Sequence, residues 1–193
     1  MKPVTFSDYA NRYECVSMKR VDGILLLTIH APGAIDKTCV WSAKPHEELS
    51  YAFNDIARDR ENLCVIITGA GGAFCAEMHP SIAGLARFSE GNVSSEMFER
   101  MDQAGHDGRH LLINHLNIEV PMIAAVNGPA LIHAELAVLC DIVLAAEEAE
   151  FSGCATSSKR VGPRGRSPRG MAAGTWSEPR TLFPADRPEI IRA

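Results

Sequence analysis

No two cysteines stand at C-x-x-C spacing, so neither a zinc knuckle nor a thioredoxin-type redox pair is written here. The longest apolar run, around Leu136–Cys140, falls far short of the ~20 residues that a membrane span needs. Met1-Lys2-Pro3-Val4-Thr5 opens the chain without a secretory apolar core, which leaves the cytoplasm as the expected location and a membrane outside the expected partners. There is no G-x-x-x-x-G-K-[ST] loop. The glycine-rich stretch Gly69-Ala70-Gly71-Gly72-Ala73 has Phe74 where a dinucleotide fingerprint needs its last glycine. Aromatic residues make up only 6% of the chain, so each tryptophan is informative. No histidine follows His133.

What is present is ordinary globular material. The 193 residues are 46% apolar and 22% charged, enough for one domain with a sizeable core. Six cysteines (Cys15, Cys39, Cys64, Cys75, Cys140 and Cys154), several inside apolar stretches, read as reduced, buried small hydrophobes. The net charge of −5 hides two populations. Residues 1–151 carry 11 Lys/Arg against 21 Asp/Glu, whereas residues 152–193 carry 8 against 3, with five each of Gly, Pro and Ser. No hydrophobic period runs through that second segment, and such a composition cannot offset its ordering entropy by burial. The expected boundary lies just after Phe151, with a domain over 1–151 and a disordered basic tail over 152–193. Arg164, Arg166 and Arg169 offer phosphate contacts, but without interleaved aromatics and beside an acidic body they do not make nucleic acid an expected partner.

Within 1–151, strands and helices alternate. The spacing predicts a short helix over 6–14 and a hairpin of strands 15–20 and 24–30 turning at Val21-Asp22-Gly23. A helix over 46–60 sets Leu49, Ala52, Phe53 and Ile56 on one face. Buried-type strands follow at 63–68, 121–126 and 141–145, with a long helix over 94–116 weakened at Gly105 and Gly108, and a short one over 132–140. Such alternation predicts an α/β fold with helices outside a mostly parallel sheet.

The glycine-rich turn after 63–68 can aim backbone N–H groups at a ligand. His133 and Glu135 follow the Asn127-Gly128-Pro129 break, where a histidine either caps a helix or serves as a general acid. Trp41, in a loop, either packs in the core or offers its indole N–H to a ligand carbonyl. His46 and Glu47 read as a solvated first helical turn. His106 and His110, at i and i+4, can chelate a metal ion from one helix face, or simply line an exposed surface.

The order LCVIITG, GAGGAFCAE, a long helix, IEVPMIAAVNGPA and CDIVLAAEEAEF resembles the crotonase (enoyl-CoA hydratase/isomerase) superfamily over about residues 12–151. That resemblance implies a crotonase-like ββα-superhelix, present here as its N-terminal part only. Three segments, VWSAKPHEELSYAFNDIARDREN, FCAEMH and NGPALIHAELAVLCDIVLAAE, are similar to the β-diketone hydrolases of the 6-oxocamphor hydrolase kind. Phe74-Cys75-Ala76-Glu77-Met78-His79 stands where acyl-CoA members have F-x-A-G-x-D, and Leu131-Ile132-His133-Ala134-Glu135 where they have a glycine-rich run.

The resemblance implies His133 as the residue handling an enolate and Trp41 as the donor to a substrate carbonyl, with Phe74, Glu77 and Glu135 lining the substrate. It implies a small-molecule partner (a cyclic β-diketone), no metal or organic cofactor, and trimers or hexamers. It also implies a water-activating histidine and aspartate after Phe151, where this chain reads SGCATSSKRVGPRGRSPRG. A frameshift near codon 151 is the expected origin of that stretch, and impaired hydrolysis its expected consequence. The alternatives are an acyl-CoA hydratase or isomerase relative and a non-catalytic binding remnant.

Overall fold

The computed structural model describes residues 3–80, 95–152 and 160–161. The expectations for the rest of the 152–193 tail, Cys154 and the three tail arginines included, lie outside the described residues.

Helix α1 (Phe6–Tyr9) is one turn, shorter than the pattern predicts. Thr5 and Asp8 close a capping box at its start. Strands β1 (Val16–Val21) and β2 (Ile24–Ile29) pair antiparallel through Asp22 and Gly23, both with positive φ, as a tight hairpin turn demands. Strand β3 (Val40–Trp41) precedes helix α2 (Ala43–Arg58), and β4 (Cys64–Gly69) follows it. Strand β5 (Glu77–Met78) lies parallel to β3, with Trp41 opposite Met78. Trp41 is therefore held in a strand rather than a loop. Two residues are too short a run to show a period-2 pattern, so only the pairing reveals them.

Helix α3 (Ser95–Leu116) runs unbroken through Gly105 and Gly108. Packing against α2 offsets the weak helix propensity of the two glycines. Strand β6 (Met122–Val126), helix α4 (Glu135–Val138) and strand β7 (Ile142–Ala145) complete the body. Helix α4 is half the predicted length, because His133 takes a left-handed backbone that no α-helix tolerates. Strand β8 (Phe151–Ser152) pairs antiparallel with β9 (Arg160–Val161).

The main sheet has the order β1-β2-β4-β6-β7, parallel from β2 onward. This is the α/β class that the alternation predicts. Leu49, Ala52, Phe53 and Ile56 of α2 are all buried in one core with Leu25, Leu27, Val65, Ile67 and Ala124 of the sheet. A buried polar knot ties α1, β1 and α2 together. Tyr9 Oη donates to Asp59 at 2.9 Å, Asn62 Nδ2 donates to Tyr9 Oη at 3.1 Å, and Arg20 reaches the same Asp59 at 2.7 Å. Each buried polar group there has a partner, which removes most of its desolvation cost. The five described cysteines are free thiols, all buried except the half-buried Cys64.

Candidate active site

The C-terminal ends of β4 and β6 lead into two loops that lock onto each other. Asn127 Nδ2 donates to the carbonyls of Gly69 and Gly71, both at 2.9 Å, so one side chain sets the spacing of both loops. A Cβ at Gly128 would stand 2.2 Å from the Gly72 carbonyl oxygen, so only glycine permits this approach. Past Pro129, the Leu131 and Ile132 N–H groups both donate to the Cys75 carbonyl, at 2.8 and 3.0 Å. This clamp presents the next residue, His133, at a fixed place.

His133 has φ +50°. A left-handed backbone costs a non-glycine residue roughly 1–2 kcal/mol, and such strain collects at functional sites. Its side chain is tightly held. Glu135 Oε1 lies 2.5 Å from His133 Nδ1, and a carboxylate only accepts, so Nδ1–H donates and Nε2 is left free. The Trp41 ring lies against the imidazole, with centroids 4.3 Å apart and planes tilted by 36°. His46, from the first turn of α2, completes the cluster, 5.2 Å from His133 and edge-on to Trp41 at 5.8 Å.

Three rings from β3, α2 and the post-β6 loop thus meet at one point. Trp41 and His46 are five residues apart in sequence, and His133 lies 87 residues beyond His46. The segment Cys75–Met78 links them, since the Cys75 carbonyl holds the post-β6 loop and Met78 pairs with Trp41.

The electrostatics are those of a partly buried acid–base site. Burial alone would raise the Glu135 carboxyl, but the hydrogen bond and charge of His133 outweigh it and hold Glu135 below the ordinary glutamate range. Its second oxygen, Oε2, is buried and finds no hydrogen-bond partner among the described residues. His46 is pushed down to about 4, first by burial and then by the neighbouring His133, so it is neutral at pH 7. The cluster therefore pairs an anion, an imidazole with one free nitrogen, a neutral imidazole and an indole N–H. Such a set can polarise a carbonyl and hold a developing negative charge.

Of the residues expected at the site, Trp41, His133 and Glu135 come together. Phe74 is fully buried and belongs to the core cluster. Glu77 is exposed on β5, opposite Val40, and its neighbour Met78 is the one that faces Trp41. The sequence predicts a solvated helical turn for His46, whereas the structure holds it half-buried in the cluster. The signal for it was its distance from Trp41: five residues on, at a helix start, it returns to the same side. Among the described residues, no group of three or more His, Cys, Asp or Glu side chains is placed to hold a metal ion, and no helix is long and apolar enough to cross a membrane.

Residues 19–162 match the model of the enoyl-CoA hydratase/isomerase family. The chain belongs to this family. Over 145 residues it is 31% identical to the short-chain-enoyl-CoA hydratase of Clostridium acetobutylicum, covering 70% of this chain and 48% of that one. Among solved structures, a β-diketone hydrolase from the cyanobacterium Anabaena sp. PCC 7120, bound to (S)-3-oxocyclohexyl acetic acid, is similar at 36% identity with a TM-score of 0.63. It covers 78% of this chain, and this chain covers 54% of it. An enoyl-CoA hydratase/carnitine racemase from Magnetospirillum magneticum is 26% identical with a TM-score of 0.59, covering 76% of this chain and 51% of its own. This family member spans about half the length of the relatives it matches. The fold is the crotonase-type α/β fold, as the motif order predicts.

Proposed function

We propose that the Trp41–His133–Glu135 cluster recognises a cyclic β-diketone and serves its hydrolytic carbon–carbon cleavage. The observation that carries this reading is the imidazole of His133, fixed by Glu135 and laid against Trp41 where acyl-CoA members have glycines. The similarity to a β-diketone hydrolase bound to a cyclic keto acid supports it. A cyclohexanone bearing an acetic acid arm is the kind of product that ring-opening of a bicyclic β-diketone leaves.

The reaction balances without an external oxidant or reductant. Water adds to one carbonyl to give a tetrahedral intermediate. The bond from that carbon to the central carbon breaks, and its electron pair passes to the central carbon as an enolate of the second carbonyl. Protonation of that carbon gives a ketone and a carboxylic acid. Trp41 Nε1–H donates to the carbonyl that becomes the enolate. His133, with Nδ1–H held by Glu135, turns Nε2 to the same charge and passes a proton to carbon. A single donor of this kind typically contributes ~3–4 kcal/mol to the transition state. His46, neutral at pH 7, adds no competing positive charge.

Water activation is the weak step. The histidine and aspartate that the β-diketone hydrolase resemblance places after Phe151 have no counterpart in SGCATSSKRVGPRGRSPRG. The expected behaviour of the 193-residue chain is therefore ligand binding with slow turnover.

Equilibrium titration of (S)-3-oxocyclohexyl acetic acid and of a bicyclic β-diketone into the purified chain tests this, with crotonyl-CoA as the competitor. Saturable binding of the keto acid is expected, weakened at least about tenfold by Trp41→Phe, a loss of one hydrogen bond worth ~1.4 kcal/mol. Saturation by crotonyl-CoA with no response to the diketone would replace this reading by the acyl-CoA one, which the 31% identity to an enoyl-CoA hydratase supports.

A further inference from the structure

Helix α3 carries a second histidine cluster that the cleavage chemistry does not use. His106 and His110, one turn apart, stack with ring centroids 4.3 Å apart and planes within 25°. Both side chains are exposed, His106 at 62%. Two neutral imidazoles at i and i+4 on a helix form a two-point chelate, because a modest side-chain rotation brings their nitrogens to the spacing of about 3 Å that adjacent ligand positions at ~2.0–2.1 Å require.

Two polar side chains of the same turn stand beside the pair. Asp107 Oδ1 lies 3.7 Å from His106 Nδ1, and Gln103 Nε2 donates to that same Oδ1 at 2.9 Å.

The turn also has a reason to be clamped. Gly105 and Gly108 flank or lie within it, and each weakens a helix by roughly 1 kcal/mol relative to alanine. Gly108 is the point where α3 meets the active-site cluster: a Cβ there would stand 3.4 Å from Cε1 and Nε2 of His46.

We propose that His106 and His110 bind one divalent transition-metal ion of the Ni2+, Cu2+ or Zn2+ class on the surface of α3, with water filling the remaining positions. The bound ion ties the glycine-weakened turn together where it backs His46. Two imidazoles suit these ions and not Mg2+ or Ca2+, which take oxygen ligands.

The test is calorimetric titration of Ni2+ into the full chain, with His106→Asn, His110→Asn and His133→Ala titrated alongside and helicity checked by circular dichroism. One ion per chain is expected, with affinity reduced at least about tenfold in each α3 variant and unchanged in His133→Ala. Ni2+ should raise the melting temperature of the parent chain and leave that of His110→Asn where it was. Equal titration curves for the parent and both α3 variants would overturn the proposal. So would loss of the site in His133→Ala, which would move the ion to the active-site cluster. The titrations of the two α3 variants read this site apart from keto-acid binding, which the proposed function assigns to Trp41, His133 and Glu135.

Discussion

At the scale of single residues, the half-buried His46 and the buried His115 shape the response to acid. His46 is held down to about 4 by burial and then by His133, and His115 is lowered by burial under α4. The ring of His115 stacks edge-on against Phe53 at 5.0 Å, and its Nε2 lies 3.1 Å from the Leu136 carbonyl. In the unfolded chain both titrate near ~6.5. The unfolded state therefore binds more protons than the folded one below that pH. Their contribution is complete above about pH 6.5, declines as the pH falls through it, and for His46 goes on declining to about 4.

Urea unfolding of the chain and of His46→Gln between pH 6.5 and 5 measures this. The variant should lose stability with falling pH less steeply, by up to about 1.4 kcal/mol per pH unit. Equal slopes would mean that His46 is not held neutral in the folded chain as described here. The candidate site was partly legible at this scale. Trp41 stands out because an indole N–H outside a periodic element needs a partner, and His133 because an imidazole stands where the resemblance expects a glycine-rich run. His46 did not, because its burial depends on a ring 87 positions away.

At the scale of elements, most of the fold could be read ahead. The 3.6 period over 46–60 named the buried face of α2, and the β-branched runs named β4 and β6, because burial imposes those patterns directly on the residues. Elements shorter than one period carry no such signature. Strands β3 and β5 are two residues each, and the one-turn α1 and α4 are set by caps and backbone turns. Helix α3 is legible by its length, and packing against α2 offsets the weakness expected at its two glycines.

The two α3 glycines are not equivalent. A Cβ at Gly105 meets nothing within 4 Å, whereas one at Gly108 touches His46. Gly105→Ala should therefore stabilise the chain by about 1 kcal/mol, the helix-propensity difference, seen as a higher urea midpoint with unchanged slope. A lower midpoint would mean that this turn is not α-helical.

At the scale of the whole molecule, the main sheet ends on a strand with an unusual face. Among the described residues β7 has a partner on one side only, β6. Its Ile142 is 37% exposed and its Leu144 48%, and Leu139 just before it is exposed as well. Parallel sheets normally bury both faces and cover their last strand, because an uncovered apolar edge offers both a hydrogen-bonding row and a hydrophobic patch to other chains. The matched stretch is about half the length of the relatives. In this chain the edge should drive self-association that grows with concentration.

Sedimentation velocity across a tenfold concentration range is the measurement, on the chain and on Leu144→Lys. A charge on the exposed edge is a standard block to strand pairing and costs little where the side chain already meets solvent. The variant should shift toward the monomer while its unfolding midpoint stays within about 0.5 kcal/mol of the parent. If instead Leu144→Lys unfolds the chain, the edge is buried by a segment of the same molecule. If association persists unchanged, the contact lies elsewhere, with the exposed Ile113 and Leu116 at the end of α3 the next surface to charge.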